Sequence, residues 1–355
     1  MSFLNNVLDP PSYGWRDKAG LLYRPSRKEI FSEFFKRLNI FKTRKNWLGF
    51  FSWGSVICLF PSLILFIYFQ VTQFSLTMLI VSFVYGMILM GTHGTIWYHR
   101  YCTHQAFRFR NNCWRFITAN LVIKLIPEEI YVVSHHVHHA LSDKPGDPYN
   151  AEGGFLYCFL ADVNHQPISK NLNASEYDKV LKIMSHTGAP VLAYNDYLKW
   201  GSASSPLKVI TGVLLNWTFW FGVCYFLGGI YFTMAVFAGA FVWSLGVRTF
   251  NYEGHGKGRI CQVNGSDFND RDKSINQLWP GIVAGEWHNN HHLYPKSARS
   301  GFLPYQIDFA WYYIWLLKMI GAVTLVHDDK KRFMEQCLRP YQVKNNIASS
   351  QNHQY

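Results

Sequence analysis

From Trp47 to Tyr98 the chain carries no Asp, Glu, Lys or Arg, and from Val209 to Val247 it again carries none. An α-helix rises about 1.5 Å per residue, so about 20 apolar residues cross the roughly 30 Å hydrocarbon layer of a bilayer. The first stretch holds two such helices, near 47–69 and 75–97, joined by the uncharged link Gln70-Val-Thr-Gln-Phe-Ser75. The second divides at Gly228-Gly229 into spans near 209–227 and 230–250. A helix satisfies its own backbone hydrogen bonds, which a bilayer demands. The expectation is an all-α membrane protein with four transmembrane helices.

Composition agrees. Of 355 residues, 17% are aromatic and only 16% charged, against roughly 25% charged in soluble proteins. The net charge is +12, yet no basic-aromatic repeat or nucleic-acid motif accompanies it, so nucleic acid is not an expected partner. Basic residues concentrate in the N-terminal 46 residues, as a cytoplasmic segment facing anionic lipid headgroups would require. Four spans then return 99–208 and 251–355 to the cytoplasmic side. The seven scattered cysteines form no Cys-x-x-Cys pair and read as reduced thiols. Weaker apolar segments at 112–133 and 303–323 carry Lys124, Glu128, Glu129, Asp308 and Lys318. Charge at mid-bilayer is costly, so both are expected as interfacial helices. The domain reading is a basic segment over 1–46, a catalytic body over 47–325 and a polar tail over 326–355.

Nine histidines and an asparagine cluster beside the apolar stretches, all on the expected cytoplasmic face: His99 and His104, then His135, His138 and His139, then Asn251 and His255, then His288, His291 and His292. Imidazole is the commonest metal ligand among side chains. Spacings of i, i+3 and i+4 put three histidines on one helix face in both His135–His139 and His288–His292. Nine imidazoles exceed what one ion holds, which points to two. His99 and His104 are about 140° apart on a straight α-helix, so they are expected on different ions. Asn251 is a weak ligand whose amide suits a metal-bound water. His136 points off the ligand face, and His93, His165, His186, His327 and His353 read as ordinary anchor or core residues. Imidazole sites take zinc, copper, iron or nickel. Without thiolates or a Ser-His-Asp arrangement, oxygen chemistry on hydrocarbon fits better than hydrolysis, with iron, which can bind and activate O2, and copper as the competing metals.

The boxes His99-Arg-Tyr-Cys-Thr-His104, His135-x-x-His138-His139 and Glu286-Trp-His288-Asn-Asn-His291-His292-x-Tyr-Pro295 resemble those of the membrane fatty acyl desaturases, in the delta-9, stearoyl-CoA desaturase-like group and its bacterial branch. Ser142-Asp143, Asp147-Pro148, Ser297-Ala-Arg-Ser-Gly301 and Asn251-x-x-x-His255 extend the resemblance across about 47–325. It implies a cytosolic helical cap holding a histidine-rich dimetal centre of two iron ions. It also implies O2, two electrons per turnover, and an acyl chain held in a narrow tunnel, desaturated at delta-9. Relatives carry Arg-Asp before the second box where this chain has Val133-Ser134, so the carrier stays open among acyl-CoA, acyl carrier protein and acyl-lipid. No fused cytochrome signature is present, so a separate ferredoxin or b-type cytochrome with its reductase is the expected donor. The expected location is a bacterial inner membrane, or the endoplasmic reticulum in a eukaryote, among membrane lipids. The competing readings are a related hydroxylase or ketolase and, in another class, a metal transporter. The lack of acidic residues in the apolar stretches speaks against the transporter.

Overall fold

The computed structural model describes residues 3–165, 167–258 and 287–343. Glu286, Cys261 and His353 lie outside them, as does the tail from 344 onward. Among the described residues, three helices are long and apolar enough to cross a membrane: Arg44–Thr72, Leu76–Thr103 and Pro206–Gly254. The first two are joined by a tight turn. Ser75 caps the second helix by accepting from the Met78 N–H at 3.3 Å, and the Gln70 amide exchanges two 3.1 Å bonds with the Ser75 backbone.

The third helix is 49 residues long and would measure about 74 Å if straight, more than twice the hydrocarbon layer. It is interrupted at Gly229, whose φ of 69° and ψ of −170° no helix contains. Glycine reaches that conformation without a Cβ clash. Pro206–Gly246 packs on both of the first two long helices. Small residues permit the close approach: a Cβ on Gly239 would strike the Ser82 carbonyl, and one on Gly86 would fall inside the Trp243 indole.

The second long helix changes character partway. Leu76–Leu89 is α-helical and Met90–Thr103 is π-helical. The first histidine box is therefore part of this helix and does not follow it in a loop.

Residues 112–133 do not form the single helix expected of them. A short helix, Asn112–Ala119, ends, and a second, Glu128–Leu141, begins after Pro127. Between them the backbone is held by side chains of the long helices. Asn216 accepts from the Lys124 N–H at 2.9 Å and donates to the Val122 carbonyl at 3.1 Å. Trp217 and Trp220 donate to the carbonyls of Lys124 and Asn120 at 2.8 and 3.0 Å, and the Tyr85 hydroxyl accepts from Ile123 at 3.0 Å. Non-helical backbone among membrane helices needs such partners. Periodicity alone could not reveal them.

The helix expected over 303–323 is shorter, Phe309–Met319, with Phe309, Tyr312, Trp315 and Met319 exposed along it. Beyond it Val323–Val326 pairs antiparallel with Phe107–Phe109. Among the described residues the fold thus carries one small β-ribbon where only helices were expected. The ribbon fastens the segment after the first box to the segment after the last.

Candidate metal centre

Four elements bring the histidines together. The π-helix carries His99 and leads to His104. Helix Glu128–Leu141 supplies His135, His138 and His139, helix His288–Leu293 supplies His288, His291 and His292, and His255 follows helix Phe250–Gly254. Arg100, buried beside His99, locks the first box to the region after the last. Its guanidinium donates to both Asp308 oxygens at 2.9 Å, to Ser300 Oγ at 3.2 Å and to the Ala298 carbonyl. Asp308 also accepts from the Ser300 and Trp311 N–H groups, at 2.8 and 2.9 Å, so it caps the Phe309–Met319 helix.

The nine histidines divide into two adjacent groups able to hold a metal ion. His99, His104, His135, His139 and His291 form one, and His138, His255, His288 and His292 the other. In each group the candidate ligand atoms lie within 4.8 Å of one another. The groups touch, with the His139 and His292 rings 4.5 Å apart. On both helices the i and i+4 histidines join one group and the i+3 histidine the other. The shared face read from the spacing therefore straddles two sites.

His99 and His104 fall in the same group, contrary to the separation expected from α-helical geometry. The His104 N–H donates to the His99 carbonyl at 3.1 Å, an i→i+5 bond that marks π-helix. Residues five apart then stack, and the two rings are 4.9 Å apart.

The donor set fits a metal. His291 Nε2 lies 2.8 Å from His99 Nε2 and 2.9 Å from His139 Nε2. His288 Nε2 lies 2.8 Å from His255 Nε2 and 3.1 Å from His292 Nε2. One Nε2 proton serves only one of two such contacts, so these are lone pairs gathered toward common points. His104 Nε2 is buried without a hydrogen-bond partner among the described residues. Burial holds His135, His139, His291 and His292 well below the usual imidazole range, in the neutral form that a metal requires.

Two carboxylates stand behind the group of four. Asp147 Oδ1 lies 2.9 Å from His138 Nδ1, and Asp143 Oδ2 lies 3.0 Å from His255 Nδ1. Such bonds set the tautomer, point Nε2 inward and raise ligand basicity. Asp147 is itself held by the Asp143 and Tyr149 N–H groups at 3.0 and 2.9 Å. Sequence reasoning saw Asp143 and Asp147 as motif residues without a role. Their position just after a histidine box was the available signal.

The remaining sequence candidates separate clearly. Asn251 accepts the His255 N–H on its backbone carbonyl at 3.1 Å and borders a small cavity that His99 also lines. His136 belongs to neither group. His165 is buried, and His186 approaches the Tyr101 carbonyl at 3.1 Å.

A largely apolar cavity adjoins the centre, walled by Leu89, Met90, Leu125, Ile126, Ile130 and Trp243. It shares Met90, Gly94, Tyr131, Val247 and Asn251 with the smaller space that reaches His99. The cavity therefore lies next to the space at His99.

Comparison with known proteins agrees with this geometry. Residues 74–315 match the family described as fatty acid desaturase. The chain is 27% identical over 269 residues to Delta-9 desaturase-like 2 protein of Arabidopsis thaliana, covering 71% of this chain and 80% of that protein. It is 29% identical over 254 residues to sn-2 palmitoyl-lipid 9-desaturase of Nostoc sp. (strain 36), covering 67% and 78%. It is 26% identical over 267 residues to Icosanoyl-CoA 5-desaturase of Limnanthes douglasii, covering 73% and 66%. With paired histidine groups beside an apolar cavity and a family match over most of its length, the chain belongs to the fatty acid desaturase family and is an oxidoreductase acting as an acyl desaturase.

Proposed function

We propose that the chain is an O2-dependent di-iron desaturase that places a cis double bond, at delta-9, in a saturated acyl chain carried as acyl-CoA or acyl-lipid. The observation that carries this reading is the pair of all-histidine groups at the end of an apolar cavity. The five-histidine group would hold one iron and the four-histidine group the other, with Asn251 holding a water beside them. Iron supplies the O2 activation that side chains alone cannot provide.

The protein's own residues do the rest. Met90, Ile126 and Trp243 hold the chain in place and exclude water, fixing which carbons face the centre. Asp147 and Asp143 keep the imidazoles of His138 and His255 oriented. Two electrons come from a separate ferredoxin or b-type cytochrome. In the membrane reading, the break at Gly229 makes two spans of the third long helix, for four in all, with the centre on the cytoplasmic face of a bacterial inner membrane or of the endoplasmic reticulum. The names of relatives support delta-9 in two cases and delta-5 in one, and both lipid and CoA carriers.

Expression in a desaturase-deficient host, followed by fatty-acid analysis with double-bond location, tests this. A delta-9 monoene is expected. A product that gains oxygen without losing two hydrogens contradicts the reading and points to hydroxylation.

A further inference from the structure

His93 is 1% exposed, and neither of its ring nitrogens has a hydrogen-bond partner among the described residues. It lines the cavity together with Met90, Gly94, Ile126 and Trp243. Its ring stands edge-on to Tyr98, centroids 4.7 Å apart. Tyr98 does not satisfy it, because the Tyr98 hydroxyl donates to the Ile126 carbonyl. A neutral imidazole presents one donor and one acceptor. Buried polar groups are almost always hydrogen-bonded, and leaving one unmade is expensive. An unsubstituted alkyl chain filling this cavity offers His93 no hydrogen-bond partner.

We propose that His93 is a hydrogen-bonding subsite inside the acyl cavity, and that the substrate it selects carries an oxygen, as a hydroxyl or oxo group, on the carbon that reaches it. This rests on the reading of the cavity as the acyl site. The subsite gives the enzyme a discrimination that an apolar tunnel lacks. A site with a polar group placed to bond a substrate oxygen binds the analogue without it more weakly, because that group is then stranded, while the unsubstituted chain still enters.

The test is ligand binding by the full-length protein in detergent, followed through tryptophan emission. The probes are stearate and a positional series of monohydroxystearates. One hydroxy isomer is expected to bind about tenfold more tightly than stearate, which is about 1.4 kcal/mol. His93→Leu should bind the two equally, and His93→Gln, which keeps a donor and an acceptor, should retain part of the preference. Equal affinity for stearate and every isomer in the wild type overturns the proposal. So does a preference that survives in His93→Leu, or a parallel loss of both ligands in both variants. Feeding the same acids to the desaturase-deficient host separates this inference from the functional reading. The favoured isomer should lose two hydrogens. Selective binding with no desaturation of any chain would uphold the subsite and contradict the desaturase reading.

Discussion

His104 donates its backbone N–H to the His99 carbonyl at 3.1 Å, and the two imidazoles lie 4.9 Å apart. This one π-helical closure places both histidines of the first box in a single candidate group. His99→Ala and His104→Ala should therefore each deplete the same ion. The double variant should bind no less metal than either single variant. Metal content per chain after desalting checks this, and additive losses would contradict it.

Asp147 and Asp143 contact His138 and His255, both in the group of four. Asp147→Asn and Asp143→Asn should each weaken metal binding by about 10–100-fold in the group of His138, His255, His288 and His292, and leave the five-histidine group filled. Chelator titration of the purified protein would show one ion released early and one retained. Simultaneous release of both would refute the assignment.

Arg100 and Asp308 are both buried and bonded on two oxygens at 2.9 Å. Removing one partner strands the other charge. Arg100→Met should cost about 3–5 kcal/mol of stability, seen as a lower melting temperature in detergent. Arg100→Lys should lie between it and wild type, since lysine cannot reproduce the forked bond. A melting temperature unchanged in Arg100→Met would show that the pair does not hold the boxes together.

His165 is buried, and loss of solvation lowers its pKa to about 3, with Arg37 adding to the effect. Unfolded, it would protonate near 6.5. Between those values the unfolded state binds more protons, so stability falls as pH drops from about 6.5 toward 3, with a slope of up to about 1.4 kcal/mol per pH unit from this group. Above 6.5 the group contributes no slope. Melting curves from pH 7 to 5 should be flatter for His165→Gln than for wild type. Identical pH dependence in the two would disprove the contribution.

What was legible from sequence followed from strong periodicity. The charge-free stretches mark the long helices, and Gly228-Gly229 marks the interruption, which falls at Gly229. The i, i+3, i+4 spacings foretold shared histidine faces, because α-helical geometry governs them. They could not show that each face looks onto two groups, which depends on how two helices pack. The placement of His99 and His104 failed because it assumed an α-helix. No residue between Met90 and Thr103 announces a π-helix by type. The non-helical run before Pro127 was hidden for a related reason: Asn216, Trp217 and Trp220, about ninety or more positions away, supply the bonds that a helix would have made. Asp143 and Asp147 were visible as motif residues, but their work depends on contact with His255 and His138 in space.

Two ions are proposed, each in its own histidine group. Mass-spectrometric counting of iron per chain on the purified full-length protein, its His291→Ala variant and its His255→Ala variant tests this most directly. Two irons are expected in the wild type and one in each variant. A single ion in the wild type, a metal other than iron, or loss of both ions on removing either histidine would contradict it.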